Sequence, residues 1–166
     1  SAEALGYTDT SLHYHRAESL FALGQFAPAL ESFSIALDKA EKNPLQHSLV
    51  PTLRIRRVEA AMAAQRFDEA ISGFTALLQA NPNDPRLLLG MGMARVGKGE
   101  TQAALAIFDQ LLARRPGAPA YYGRALAHHQ AGQTVASLND LDQAIQLDPR
   151  NPQYQQMRAV IAAAKK

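Results

Sequence analysis

The chain contains no cysteine, which removes disulfides, thiolate metal sites and cysteine nucleophiles together. That absence suits cytoplasm and periplasm alike, so the compartment stays open between the two. Charge is sparse: charged residues make up 19% of the chain and the net charge is +2, so a pI near 9.0 reflects a small excess of Lys and Arg, not a basic surface. Bulk charge therefore does not point to nucleic acid as a partner. No apolar run approaches the roughly 18 to 20 residues that span a bilayer, and no basic, apolar, small-residue leader opens the chain. Direct membrane insertion is not expected. There is also no glycine loop of the phosphate-cradling type and no nucleophile elbow. The chain opens at Ser1 rather than Met, from which a removed upstream segment is expected.

What is present is an apolar fraction of 47%, that of a folded chain of about one domain, and a phrase that recurs. Gly99-Glu-Thr-Gln-Ala-Ala-Leu-Ala-Ile-Phe reappears as Gly24-Gln-Phe-Ala-Pro-Ala-Leu-Glu-Ser-Phe, as Gln65-Arg-Phe-Asp-Glu-Ala-Ile-Ser-Gly-Phe and as Gly132-Gln-Thr-Val-Ala-Ser-Leu-Asn-Asp-Leu. Each is a turn, a helix start, a small residue, an aliphatic, and an aromatic or Leu three residues later. Before each phrase lies another stretch with apolar residues at spacings of three and four, such as Leu12, Ala17, Leu20 and Phe21, or Leu53, Val58 and Met62. Asn43-Pro44, Asn81-Pro-Asn-Asp84-Pro85, Pro116-Gly117 and Asn151-Pro152 punctuate the series, because the residue before Pro is driven out of the α region. Asp84 is placed to cap the helix that Pro85 opens.

Ala70 and Ala104 are 34 residues apart and Ala104 and Ser137 are 33. A period near 34 built from two helices resembles the tetratricopeptide repeat family. Leu88, Met91, Gly92, Gly99, Ala104, Phe108 and Pro116 match its pattern in the third repeat, and Tyr121, Ala125, Gly132, Ser137, Leu141, Ala144 and Pro149 match it in the fourth. The first repeat departs from the pattern at His13 and Arg16. The second departs at Arg54, Arg57 and Val58, the last standing where the family has a small residue. The resemblance implies an all-α fold, a right-handed α-solenoid of antiparallel helix pairs, with repeats at about 10–43, 48–82, 85–116 and 118–151 and a capping helix at 153–166. Residues 1–9 read as an N-terminal extension or the end of a preceding helix, and Lys165 and Lys166 suit the negative end of the capping helix. Ala29 and Ala70 are 41 residues apart, and the seven extra residues predict an added turn in each helix at that junction. Phe33, Phe74 and Phe108 are expected in the core.

Chemistry is thinly marked. His13 and His15, like His128 and His129, sit one or two residues apart on helices, so neither pair faces one ligand as an i, i+4 pair would. Asp68 with Glu69 and Asp140 with Asp142 lie where helix dipoles and solvent account for them. No catalytic residue, metal site or cofactor is implied, and an enzyme is not expected. Arg16, Arg57 and Arg124 occupy one position in three repeats, with Arg95 one turn further along in the remaining one. Their stems are expected between helices with heads paired to acids such as Glu31, Asp109 or Asp140; the sharper alternative is a basic track for an acidic peptide.

By resemblance, the first helix of each pair lines a concave groove. Its residues here are Tyr14, Glu18 and Phe21, then Ile55, Glu59 and Met62, then Leu89, Met93 and Val96, then Tyr122, Leu126 and His129, with Gly90 and Gly123 leaving space in the wall. The Lys and Asn that chaperone-binding members use to clamp a C-terminal carboxylate are absent from these places. The expected function is a non-catalytic scaffold that binds a protein partner, as a peptide or amphipathic helix, in an apolar groove. The alternatives are a self-assembling structural module, a homo-oligomer, or the accessory module of a larger enzymatic or membrane-anchored assembly.

Overall fold

The computed structural model describes residues 2–164, with side chains described from Asp9 onward. Lys165 and Lys166, expected at the end of the last helix, lie outside the described residues. The elements in order are α1 (Ala2–Ala22), α2 (Phe26–Lys42), a 3-10 turn (Pro44–Leu49), α3 (Val50–Ala63), α4 (Phe67–Ala80), α5 (Pro85–Lys98), α6 (Thr101–Arg114), α7 (Ala118–Gln130), α8 (Thr134–Leu147) and α9 (Pro152–Ala163). No strand occurs among the described residues. Helix α1 runs from Ala2 rather than from near Thr10, so it takes in residues 2–9 of the segment that the sequence set apart.

The four turns inside the pairs are built alike. Each holds one residue with positive φ: Gly24 at 73°, Gln65 at 58°, Gly99 at 83° and Gly132 at 72°. In each, the next amide reaches back to a carbonyl five residues earlier: Gln25 to Leu20, Arg66 to Ala61, Glu100 to Arg95, and Gln133 to His128, at 2.8–2.9 Å. This is the Schellman closure, which satisfies carbonyls that a helix end leaves unpaired.

The longer first junction differs from the sequence expectation. Helix α2 gains a turn, at 17 residues against 14 in α4, α6 and α8, but α3 has 14, as α5 has. The rest of the insertion is the 3-10 turn. Pro44 has no N–H to continue α2, and the Asn43 side chain accepts instead from the Leu45 amide at 3.1 Å. Gln46 is buried under this turn and accepts from the Thr10 hydroxyl at 2.7 Å, which ties the insertion to α1.

The chain divides into two compact units, Ser1–Gln79 and Ala80–Lys166. In the first, Ala17, Ala29, Phe33, Leu53, Ala60, Ala70 and Phe74 are buried. Val58 keeps the place of the small residue and is buried as well. In the second, Phe108 is fully buried among Val96, Ala104 and Ala127, and a neighbouring cluster joins Tyr122, Ala125, Leu141 and Ala144 to Tyr154 and Ile161 of α9. The expected core aromatics are thus in the core. Gly123 is not a groove wall: it is buried, and a Cβ there would overlap the Phe108 ring, as one on Gly92 would at 2.7 Å from ring carbons. Phe108 fits because two glycines flank it.

Candidate functional site

In the first unit the first helices of the two pairs, α1 and α3, meet along a seam. At its open end lies a pocket of about 250 Å3, floored by Tyr14, Leu49 and Leu53 and edged by Ser11, His15 and Thr52. Tyr14 is half-buried and held edge-on against Phe33, with ring centroids 6.1 Å apart. Leu49 comes from the 3-10 turn, so the insertion that breaks the repeat period also closes one side of the pocket.

One turn further along both helices, where i+4 neighbours share a face, the seam turns polar. Arg56 forks onto Glu18 with two bonds of 2.6 Å and reaches Glu59 at 2.5 Å. Its guanidinium also lies 5.0 Å from the Phe21 ring centroid and 5.6 Å from that of Phe33. These bonds hold the Arg56 pKa above its ordinary value, Glu18 contributing most. Glu18, Phe21 and Glu59, named from the sequence as groove residues, therefore meet around an arginine that the sequence had not marked. Its one local signal was Glu59 three residues on; Glu18 is 38 residues away. Met62 is half-buried, and Ile55 is exposed at 44%.

In the second unit Leu89, Met93 and Leu126 are half-buried against the Phe108 cluster, and His129 is exposed. Two assignments need correction. Val96 is 7% exposed within that cluster, and Tyr122 is 8% exposed because α9 lays Tyr154 against it, ring centroids 5.1 Å apart. Neither is presented as a groove residue. Burial raises the pKa of both tyrosines.

Three of the four arginines of the supposed basic track are occupied. Arg124 forks onto the buried Asp140 at 2.7 and 2.8 Å, reaches Asp109 at 2.7 Å, and lies 5.7 Å from the Tyr121 ring. Asp140 does most to raise its pKa. Arg95 pairs with Glu100 of the following turn, a carboxylate held below its usual range first by Lys98 and also by Arg95. Arg57 bonds the Ser34 hydroxyl at 3.0 Å and lies 3.9 Å from Glu69, rather than pairing with Glu31. Arg16 is exposed. Asp142 pairs with Arg158 at 2.5 Å and Glu69 with Arg66 at 2.6 Å.

The histidines are dispersed. His13 faces Asp9 at 3.4 Å, His47 contacts the Glu41 carbonyl at 3.1 Å, and His128 contacts Gln133 at 2.6 Å. No three side chains of metal-binding type converge among the described residues. No helix among them is long and apolar enough to cross a membrane.

Three models of the tetratricopeptide repeat match the chain, over residues 14–85, 61–128 and 118–151. The structure is similar to that of MamA from Desulfovibrio magneticus RS-1, with a TM-score of 0.71 at 19% identity, covering 95% of this chain and 85% of that one. It is similar as well to YrrB, a TPR protein with an unusual peptide-binding site, with a TM-score of 0.72 at 18% identity over 90% of this chain and 74% of YrrB. At these identities the likeness is one of fold. In sequence, 103 residues are 26% identical to the CTR9 homolog of Arabidopsis thaliana, 61% of this chain but 9% of that protein's length.

Proposed function

Because the chain belongs to the tetratricopeptide repeat family, whose fold generally serves as a scaffold for contacts between proteins, we propose that it is a non-catalytic scaffold whose α1–α3 seam holds an extended peptide. The observation that carries this reading is the pocket floored by Tyr14, Leu49 and Leu53. Its floor is apolar and aromatic and its rim carries hydroxyls and an imidazole, a combination that takes up one apolar side chain and hydrogen-bonds the backbone beside it. The exposed Ile55 and half-buried Met62 extend the apolar surface along α3 past Arg56. A peptide-binding site in YrrB, on the same fold, supports the class of activity.

A random-peptide phage library selected on the whole chain tests the reading, followed by calorimetry on the enriched peptides. Thr52→Arg puts a long cation at the exposed pocket edge and is expected to weaken binding at least about tenfold, or about 1.4 kcal/mol. Val135→Arg, at an exposed position in α8, is expected to leave binding unchanged. Peptides that bind the Thr52→Arg protein as tightly as the original would sink the assignment.

A further inference from the structure

A second pocket, wholly within the second unit, differs in chemistry. It holds about 370 Å3 at the corner where α6 gives way to α7, beside the start of α5. Leu89, Leu111, Pro119 and Ala120 make its walls, and Arg86 and Arg115 are among the residues that line it. Leu111 and Ala120 are buried, so the walls belong to the packed unit and not to a loose loop.

The charge around this pocket is one-sided. Arg86 is 90% exposed, its nearest acid being Asp84 at 3.6 Å, a carboxylate already engaged by the Arg86 amide at 2.8 Å. Arg115 is exposed, and no acid pairs with it among the described residues. The adjacent Arg114 spends a donor on the neutral Asn83 side chain. Three arginines thus face one aspartate, a local excess of two positive charges, which equals the net charge of the whole chain. Of the other arginines of this unit, Arg95 is matched by Glu100, Arg124 by Asp140 and Asp109, and Arg158 by Asp142, while Arg150 lies apart in the turn before α9. An unmatched guanidinium at the mouth of an apolar cavity is the inverse of an acidic, apolar chain segment, because Arg presents a planar fork to carboxylates while the cavity takes the hydrocarbon.

We propose that the pocket between Leu89, Leu111, Pro119 and Ala120 is a docking site for an acidic peptide, with a Leu- or Phe-sized side chain in the cavity and a neighbouring carboxylate on Arg115 and Arg86. The site is independent of the α1–α3 pocket, and it selects for charge as well as for apolar bulk. It also moves basic recognition away from Arg57, Arg95 and Arg124, whose heads are occupied, to the corner of the α6–α7 turn.

The test uses the whole chain and three fluorescein-labelled synthetic peptides, read by fluorescence anisotropy: alternating Glu and Leu, the same with Gln for Glu, and the same with Ser for Leu. The Glu/Leu peptide is expected to bind, more weakly as salt rises, and each of the other two at least about tenfold less tightly. The double variant R86E/R115E, with both changes at exposed positions, is expected to lose the Glu/Leu peptide while keeping its circular dichroism and melting temperature. Thr52→Arg is expected to leave that binding unchanged, which separates this site from the α1–α3 pocket. Equal binding of the Gln/Leu peptide, retention by R86E/R115E, or loss on Thr52→Arg would each overturn the proposal. So would oligothymidylate binding as tightly as the Glu/Leu peptide, which would make the patch a general anion surface.

Discussion

Gly73 of α4 is shaped to Val58 of α3: a Cβ placed on Gly73 would overlap Cγ2 of Val58. Val58 stands where the other repeats carry Ala17, Gly92 and Ala125, so the extra volume on one helix is offset by a missing side chain on the helix that crosses it.

The pair gives a prediction whose sign is informative. Gly inside a helix is ordinarily about 1 kcal/mol worse than Ala, so Gly73→Ala at an open site would stabilise the protein. Here the added methyl collides, and a net loss of about 1–3 kcal/mol is expected from overpacking. Trimming the partner by Val58→Ala in the Gly73→Ala background is expected to recover much of that loss. Urea unfolding of the two single variants and the double variant measures the coupling; additive losses would mean the two residues do not share the space.

Gln65 holds a left-handed conformation that Gly24, Gly99 and Gly132 hold in the equivalent turns. The Cβ makes that conformation unfavourable by about 1–2 kcal/mol, while glycine costs more entropy on folding. Gln65→Gly is therefore expected to raise stability by about 0.5–1 kcal/mol, read as a higher thermal midpoint. The same change at the exposed Gln110, inside α6, is expected to lower it. A midpoint that falls for both would show that the Gln65 turn carries no strain.

Asp84 accepts the Arg86 amide at the start of α5, and this bond, with smaller help from Leu87 and the Arg86 charge, holds its carboxyl below the usual range. A depressed folded-state pKa means that the stabilisation is complete above the unfolded value of about 4 and is lost as pH falls through the folded one. Asp84→Asn keeps a capping oxygen without the titration. Its urea midpoint is expected to fall less than that of the original protein between about pH 5 and pH 3, although Asp9 and Glu100, also depressed by their lysine partners, titrate in both. Asp84→Ala is expected to cost about 1 kcal/mol at neutral pH. Parallel pH curves for the original protein and Asp84→Asn would remove the capping carboxylate from the account.

The sequence alone determined the things that repeat. A small residue, an aliphatic and an aromatic at helical spacing, set off by Gly turns and Asn-Pro or Pro-Gly breaks, can bury their apolar side only as helix pairs, so the helices, the turns and Phe33, Phe74 and Phe108 in the core were legible from local pattern. The tertiary structure decided what depends on residues far apart in the chain. Arg56 gained its role from Glu18, which no local spacing connects to it, and Gly73 made Val58 acceptable from an adjoining helix. Tyr122 lost its place in the groove to Tyr154 of α9. The pocket beside Tyr14 exists because Asn43 and Pro44 turned an insertion into a 3-10 turn that Thr10 and Gln46 pin down. Periodicity reports which side of a helix is buried; only the packing reports which neighbour buries it, and that neighbour determines which side chains remain free to meet a partner.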